Sequence, residues 1–315
     1  MNKKINIALL SGGFGGEREV SINSGDNVFN ALNKEKYNVY RYDFRDDLRS
    51  FINDAIDKKF DLVIPILHGK NGEDGRLQGL LDILEVPYLF SNALASAMAM
   101  NKYVTKKLIK NIEGINLAKD LVIKKEYNID EIISKINLPI VLKPIDGGSS
   151  CGVTIVKNRE ELEPALKNGF IYSDEIIAEE FIKGRELTVP VIKINKEIRA
   201  LPVIEIIPKI SEWFDYKAKY EDNGSLEVCP AEINEEIKNN VQKISKEIFK
   251  IIGCSGLSRV DFILSEDNKL YALEINTIPG LTKNSLTPKA LKVENISTEE
   301  FFDKLIENKL NNNSK

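Results

Sequence analysis

The stretch GLSRVDFILSEDNKLYALEIN, from Gly256 to Asn276, decides the fold class of the C-terminal part of this chain. Apolar and polar residues alternate over Gly256–Leu264 and again over Leu270–Asn276, and turn-forming residues lie between the two runs. This pattern predicts an antiparallel hairpin. Pairing of its strands would bring Asp261 opposite Glu274 and Asn276, with Arg259 on the same strand face.

The side chains of this hairpin suit a hard cation. Asp261, Glu274 and Asn276 offer oxygen ligands, and Mg²⁺ is usually held by a few carboxylates together with substrate phosphates. Arg259 could then contact a phosphoryl group that the metal holds. An exposed hairpin with charged side chains would show the same pattern, so these residues alone leave both interpretations open.

Length and composition describe an ordinary globular protein. The chain has 315 residues, of which 43% are hydrophobic and 29% are charged, so two or three domains are expected. The net charge of −4 argues against a nucleic-acid partner. No apolar run could span a bilayer or serve as a secretion signal, and the three cysteines give no disulfide pattern. We therefore expect a cytoplasmic protein without a membrane partner.

Residues 1–95 alternate between strand and helix patterns. Strands are predicted at 5–10, Tyr37–Phe44 and Asp61–Leu67, and a helix is predicted over Glu73–Glu85. This order is typical of a parallel sheet. A single helical segment, Asn92–Ile112, is expected next, with Gly114 as its C-terminal cap.

The remaining chain predicts two further α/β units. Residues 96–182 read as a small α+β unit with strands at Leu121–Ile123, Ile140–Lys143 and Val153–Val156 and helices at Asp130–Ile136 and Arg159–Lys167. Residues 183–315 combine strands Glu186–Ile194 and Glu197–Ile207, helix Ile233–Ile252, the hairpin, and a last helix that starts at a capping box from Ser297. We predict three domains: 1–95, 96–182 and 183–315.

Two loops of the N-terminal unit are candidate sites. Ser11–Glu19 is rich in glycine and opens a helix, but Arg18 stands where a dinucleotide motif needs its third glycine. Glu17 could bind a substrate ammonium group or simply complement the helix dipole. His68, the only histidine, follows the third predicted strand, where ligands bind in open α/β sheets. A structural role for His68 stays equally open.

Three later segments could bind a nucleotide. Lys143–Gly152 places a lysine before a glycine- and serine-rich loop that could contact phosphates, although a plain hairpin loop would look the same. Glu179–Glu186 could hold adenine and ribose, but alone it reads better as a linker. Trp213–Glu221 is aromatic and basic, and the acidic balance of the chain argues against a nucleic-acid patch there.

In their order and spacing these segments resemble the ATP-grasp enzymes, and among them the D-alanine–D-alanine ligases, over essentially the whole chain. The resemblance implies a three-domain α/β architecture in which ATP is gripped between the central and C-terminal sheets. It also implies an ATP-dependent ligation of two D-alanine molecules through an acyl phosphate, as used for peptidoglycan precursors. Members of this family are typically homodimers. The matching segments are Glu17–Ser21, His68–Gly69, Gly72–Gly75, Lys102, Lys143–Pro144, Gly148–Ser150, Glu179–Glu186, Tyr216–Tyr220, Arg259–Asp261, Glu274–Gly280 and Ser285–Leu286.

The resemblance also implies a set of nucleotide and metal contacts. Lys102 and Lys143 would contact the ATP phosphates, and Ser150 would lie in the loop that covers them. The adenine and ribose site would be lined by Glu179, Ile182 and Glu186. Two Mg²⁺ ions, or Mn²⁺ in their place, would be held by Asp261, Glu274 and Asn276.

For the two amino-acid substrates the resemblance implies a second set. Glu17 would bind the ammonium group of the first D-alanine, in a network with Ser149 and Tyr220, and Lys219 would close over the transferred phosphoryl group. In this family a phenylalanine at the position of Tyr220 would favour D-lactate as the second substrate. The tyrosine therefore indicates a dipeptide product. His68, Ser285 and Leu286 would bind substrate, while Arg259 and the N–H of Gly280 would stabilise the oxyanion. A non-catalytic nucleotide-binding regulator, the alternative class, would have a damaged metal site.

Overall fold

The computed structural model describes residues 3–210, 213 and 223–313. The predicted site residues Lys219 and Tyr220 lie outside these ranges. The described strands are β1 (Ile5–Ser11), β2 (Tyr37–Asp43), β3 (Leu62–Pro65), β4 (Ile115–Asn116), β5 (Asp120–Ile123), β6 (Ile140–Pro144), β7 (Thr154–Val156), β8 (Ile176–Glu180), β9 (Gly184–Ile194), β10 (Glu197–Ala200), β11 (Ile204–Pro208), β12 (Ser225–Val228), β13 (Leu257–Ser265) and β14 (Leu270–Asn276). The described helices are α1 (Arg18–Ala31), α2 (Leu48–Ile56), α3 (Arg76–Ile83), α4 (Ala93–Met100), α5 (Lys102–Ile109), α6 (Ile129–Lys135), α7 (Leu162–Gly169), α8 (Glu235–Ile252), α9 (Leu286–Val293) and α10 (Thr298–Asn313), with a 3₁₀ turn at Arg159–Glu161.

The first sheet is parallel, which confirms the prediction from the N-terminal pattern. Its order is β2-β1-β3, and β1 pairs with both neighbours in parallel register. β3 is buried along its whole length, as expected for a strand covered on both faces. The loops that follow β1 and β3 therefore emerge at the same edge of the sheet, where ligands bind in this kind of fold.

Two further sheets build the rest of the described chain. Four antiparallel strands run in the order β5-β8-β6-β7. The largest sheet runs β12-β11-β9-β13-β14-β4, with β10 paired to β9. Helix α8 packs on this sheet through Val241, Ile244 and Ile248, and it ends at Gly253 in the left-handed conformation that favours glycine.

The predicted hairpin is present, and the expected pairing of Asp261 with Glu274 is found, whereas Asn276 lies opposite Arg259 and reaches Asp261 diagonally. β13 and β14 are antiparallel, and Asp261 lies opposite Glu274 while Arg259 lies opposite Asn276. A β-bulge follows Asp261, where the register shifts between Asp261 and Phe262. β13 also pairs with β9 along its whole length, so the strand that carries Arg259 and Asp261 has a neighbour on each side.

Two predicted elements are wrong in their continuity. The helix expected over Asn92–Ile112 is split into α4 and α5, because the Asn101 side chain accepts from the amide of Val104 and starts a new helix. Helix α5 ends at Ile109, so Gly114 is not its cap. The strand expected over Glu197–Ile207 is interrupted between β10 and β11, where Pro202 lacks the N–H that a strand ladder needs.

The three sheets lie mostly within the three predicted domain ranges. The exception is β4, which precedes the second sheet in the chain but pairs in parallel with β14 of the largest sheet. The domain division itself stays a prediction. Within the described ranges, no helix combines the length and apolar character needed to cross a bilayer.

Candidate active site

Two cavities that share several wall residues form the candidate site. The larger has a volume of about 990 Å³ and is lined by the loops after β1 and β3, the end of β14 and the start of α9. The smaller, of about 150 Å³, lies among residues of β6, β8, β13 and β14. Both are lined by Lys102 and Glu274, so these two side chains stand where the cavities meet.

Every predicted site residue that the structure describes lines one of these cavities. The smaller cavity is lined by Asp261 and by all six predicted nucleotide contacts, which are Lys102, Lys143, Ser150, Glu179, Ile182 and Glu186. The larger cavity is lined by Asn276 and by the predicted substrate and oxyanion residues, which are Glu17, His68, Ser149, Arg259, Gly280, Ser285 and Leu286.

Glu179 is the buried centre of a charge cluster in the smaller cavity. Its Oε2 lies 2.6 Å from the Nζ of Lys143, and its Oε1 lies 2.6 Å from the Nζ of Lys106. Burial alone would raise the pKa of Glu179, but the two ammonium groups outweigh it and lower the pKa. Burial likewise opposes the charge of Lys143, yet Glu179, Glu274 and Glu186 raise its pKa. Lys143 is therefore held as a cation, ready for an anionic ligand.

Lys106 is a member of this cluster that the sequence interpretation missed. Its side chain is buried, and its Nζ also lies 2.9 Å from Asp120 and donates to the carbonyl of Ala118 at 2.7 Å. The available signal was its spacing of four residues from Lys102, which places both lysines on one face of α5. Lys102 donates to the carbonyl of Gly147 at 2.7 Å and lies 3.4 Å from Glu274.

The Asp261 carboxylate of the hairpin is surrounded by hydrogen-bond donors. Arg259 makes a bidentate pair with Asp261, with Nε to Oδ1 at 2.8 Å and Nη2 to Oδ2 at 2.7 Å. The amide nitrogen of Asn276 donates to Asp261 at 3.0 Å, and Thr188 donates to the same carboxylate. These contacts fix the orientation of the Asp261 carboxylate and of the Arg259 guanidinium relative to each other.

The donor set fits a cation that binds together with its substrate. Among the described residues, no three His, Cys, Asp or Glu side chains cluster as a metal site, because the third predicted ligand is the carboxamide of Asn276. Asn276 uses its nitrogen toward Asp261, and its oxygen is the atom that a hard cation would take. Two carboxylates and one carboxamide leave coordination positions for phosphate oxygens, as Mg²⁺ requires.

Glu17 is held between two glycine-rich loops. The hydroxyl of Ser149 donates to its carboxylate, which is the contact expected from the resemblance. A Cβ at Gly69 would lie 2.4 Å from Oε2 of Glu17, and one at Gly148 would lie 3.0 Å from the same atom. Glycine is therefore required at Gly69 for the carboxylate to approach its loop so closely.

His68 and Glu73 connect the loop after β3 to the loop after β14. The Nδ1 of His68 lies 3.0 Å from the carbonyl oxygen of Ile278, and burial lowers the pKa of His68, which keeps the ring neutral near pH 7. Glu73 accepts from the amides of Gly69 and Ile278. Burial, helped by the charge of Glu17, raises the pKa of Glu73 to about 8. The sequence interpretation treated Glu73 only as part of a matching segment.

The start of α9 offers a site for a carboxylate. Ser285 is the N-cap residue, but its side chain makes no capping hydrogen bond to the helix. Its Oγ instead accepts from the amide of Thr282 at 3.0 Å and lies 2.8 Å from the hydroxyl of Thr282. The first amides of a helix are unsatisfied within it, and they attract anions. Gly280 lies close by, since a Cβ there would be 3.0 Å from the Oγ of Ser285.

Comparisons with known proteins give one consistent family. The family described as "D-ala D-ala ligase C-terminus" matches residues 110–307, and "D-ala D-ala ligase N-terminus" matches residues 43–91. A D-alanine–D-alanine ligase of Syntrophobacter fumaroxidans is 44% identical, over 97% of this chain and 97% of its own. An ATP complex of the D-alanine–D-alanine ligase of Bacillus anthracis superposes with a TM-score of 0.82 at 33% identity, covering 98% of this chain and 99% of its own. A D-Ala:D-Ser ligase of Enterococcus faecalis gives 0.81 at 32% identity, covering 97% and 99%.

The charge cluster predicts a large effect of Lys106 on stability. In Lys106→Met the carboxylate of Glu179 keeps only one of its two buried counterions, so we expect the free energy of unfolding to fall by about 3–5 kcal/mol. Urea denaturation measures this change. Lys107→Met, at the exposed neighbouring position of the same helix, is the matched control and should change stability by less than about 1 kcal/mol. Equal stabilities of the two variants would contradict the prediction.

Glu73 predicts a distinct pH dependence of stability. Its pKa in the folded state, about 8, lies above the ordinary value of 4.5, so the folded state binds a proton that the unfolded state has released. The stability that this proton contributes is complete below pH 4.5 and is lost as the pH rises toward 8. Denaturation of the wild type and of Glu73→Gln from pH 5 to 9 should show the wild type losing stability relative to the variant. If the free energy of unfolding of the wild type, minus that of the variant, stayed constant or rose with pH, this prediction would be refuted.

Proposed function

The chain belongs to the D-alanine–D-alanine ligase family, and we propose that it joins two D-alanine molecules with hydrolysis of ATP to ADP and phosphate. The smaller cavity would bind ATP and the larger cavity the two amino acids. The observation that carries this proposal is that Lys102 and Glu274 line both a cavity with all six predicted nucleotide contacts and a cavity with the predicted amino-acid contacts. A γ-phosphate beside these two side chains would face the larger cavity. The product, D-alanyl-D-alanine, serves peptidoglycan precursor synthesis.

The first step activates a carboxylate that is otherwise a poor electrophile. We propose that Glu17 binds the ammonium group of the first D-alanine, whose carboxylate then attacks the γ-phosphate of ATP to give an acyl phosphate and ADP. Phosphoryl transfer depends on positioning and charge neutralisation, and the cationic Lys143 and the nearby Lys102 supply both. Asp261, Glu274 and Asn276 would hold Mg²⁺, which when bound neutralises phosphate charge.

The second step forms the amide bond. The start of α9, with Ser285 and Leu286, would bind the carboxylate of the second D-alanine through helix amides. Its amine attacks the acyl phosphate, and phosphate leaves. Arg259 and the N–H of Gly280 would stabilise the oxyanion, and the bidentate pair with Asp261 supports the orientation of the guanidinium. Lys219 and Tyr220 retain the roles that the resemblance implies.

The proposal includes a setting for the enzyme. We propose that it works in the cytoplasm as a homodimer, with Mn²⁺ able to replace Mg²⁺. Cys151, Cys229 and Cys254 form no disulfide, which is compatible with a reducing compartment. Size-exclusion chromatography with light scattering tests the dimer.

The activity is tested by phosphate release with ATP and Mg²⁺. D-Alanine should stimulate release strongly, and L-alanine should not. Glu17 would bind the ammonium group of the first amino acid and the start of α9 the carboxylate of the second, so the reacting groups are aligned only for one configuration at the α-carbon. Mass spectrometry should identify D-alanyl-D-alanine. D-Serine and D-lactate, offered with D-alanine, test the second site, where Tyr220 favours an amine. Absence of dipeptide with D-alanine would reject the proposed function.

The metal assignment predicts a specific loss of turnover. Glu274→Gln keeps the shape of the side chain but removes its charge, so kcat should fall by at least ~10²-fold, since metal charge stabilisation is worth several kcal/mol. Isothermal titration should show weaker Mg²⁺-ATP binding. The control is Glu266→Gln, an exposed change in the turn of the same hairpin, which should leave kcat unaltered. Normal turnover of Glu274→Gln at ordinary Mg²⁺ would exclude this ligand.

A further inference from the structure

Glu73 is a buried carboxyl group that joins two loops distant in sequence. Its Oε2 accepts from the amide of Gly69 at 2.7 Å, and its Oε1 accepts from the amide of Ile278 at 3.2 Å. Both donors are backbone N–H groups rather than cations. No step of the proposed reaction uses Glu73 directly, so its presence requires a separate explanation.

Burial of this group costs stability. A carboxyl group that leaves water without a cationic partner is penalised, and the raised pKa of Glu73 reflects that penalty. An apolar side chain of similar size would avoid the penalty. An apolar residue would, however, leave the amides of Gly69 and Ile278 without an acceptor, so the position requires two acceptor oxygens, one for the loop at Gly69 and one for residues 278–281.

The 278–281 loop is held by side chains of the N-terminal part of the chain. Its first peptide group is fixed on both sides, since Glu73 accepts from the N–H of Ile278 and His68 lies against the carbonyl oxygen of Ile278. Its last residue, Leu281, is fixed in the same way: its N–H lies 3.3 Å from the Oγ of Ser24, and its carbonyl accepts from Asn27 at 2.7 Å. Gly280 lies between these anchors.

The other oxygen of Glu73 acts on the loop that contacts Glu17. The amide of Gly69 is its partner, and the α-carbon of Gly69 is packed so closely on the Glu17 carboxylate that no Cβ would fit. A single side chain thus connects the loop beside the proposed ammonium site to the loop that carries the proposed oxyanion donor.

We propose that Glu73 is a positioning residue for the ligation, which sets the distance between the Glu17 carboxylate and the Gly280 N–H by holding Gly69 and Ile278 with its two oxygens. This inference rests on the proposed function. It predicts that Glu73 acts on the geometry of the reacting amino acids and leaves the nucleotide site unaffected.

Glu73→Gln is the direct test. Glutamine keeps the size of the side chain but replaces one acceptor oxygen with an NH₂ donor, which cannot accept from an N–H group. We expect kcat for dipeptide synthesis to fall roughly 10- to 100-fold, with the KM for ATP changed less than about twofold. Hydrogen exchange should become faster in peptides covering 276–286 and stay unchanged in those covering 140–182.

Asp74→Asn is the matched control in the same loop. Asp74 accepts from the amide of Asn71 at 2.8 Å and pairs with Arg76, so its contacts stay within the loop and do not reach the 278–281 loop. This variant should retain both kcat and the exchange pattern at 276–286. If Glu73→Gln folds poorly, Asn27→Ala removes a half-buried anchor of the same loop. It should show the same pattern on a smaller scale, with a lower kcat and faster exchange at 276–286.

The outcomes separate the proposal from its premise. Unchanged kcat and unchanged exchange at 276–286 in Glu73→Gln would overturn the positioning role. Faster exchange throughout the chain, with a raised KM for ATP, would also overturn it in favour of a general structural role. If the wild type made no dipeptide while exchange at 276–286 still increased in the variant, the proposed function would fail and the anchoring of the loop would stand.

Discussion

Asp261 and Glu274 lie directly opposite each other on β13 and β14, and the repulsion between two carboxylates at such a position is the constraint on which the site depends. Like charges directly opposite each other on paired strands are close enough to destabilise the pair. The surrounding side chains oppose this repulsion: Arg259, Asn276 and Thr188 donate to Asp261, and Lys102 lies near Glu274. β13, which carries Asp261, is also paired with β9 on its other side, and this pairing fixes its position in the sheet.

Compensation of negative charge extends from the hairpin into the smaller cavity. Glu179 is neutralised by Lys106 from α5 and by Lys143 from β6, and Lys102 on α5 contacts both Gly147 and Glu274. The two lysines one helical turn apart on α5 therefore serve different purposes. Lys106 is enclosed and balances a permanent anion, whereas Lys102 stands at the wall between the cavities, where an incoming phosphate would meet it.

Local patterns in the sequence predicted the parts of the fold that local forces determine. The alternation around Arg259 and Glu274 was sufficient for the hairpin and its register, and the β1 to β3 pattern was sufficient for a parallel sheet. The break at Asn101 depends on one side-chain cap, which a run of helix-forming residues conceals. The gathering of the predicted nucleotide contacts in one cavity followed from the resemblance to a family, not from the spacing of the residues.

What the sequence could not reveal were contacts between residues far apart in the chain. Lys106 and Glu179 are separated by 73 positions, and Glu73 and Ile278 by 205, so no periodicity connects them. Their burial is decided by the packing of whole elements against one another. Glu73 looked like an ordinary polar residue of a loop, and its burial, together with the charge of Glu17, raises its pKa to about 8.

The loop between β6 and β7, which carries Ser149 and Ser150, has a consequence for how this protein could evolve. Ser149 and Ser150 have φ values of 47° and 60°, in the left-handed region that glycine adopts without strain and other residues adopt at a cost of about 1–2 kcal/mol. Glycine at Ser149 would relieve that cost but would also remove the hydroxyl that donates to Glu17. Selection for thermal resistance and selection for turnover would therefore pull this position in opposite directions, and a lineage adapting to heat would have to gain its stability elsewhere in the chain.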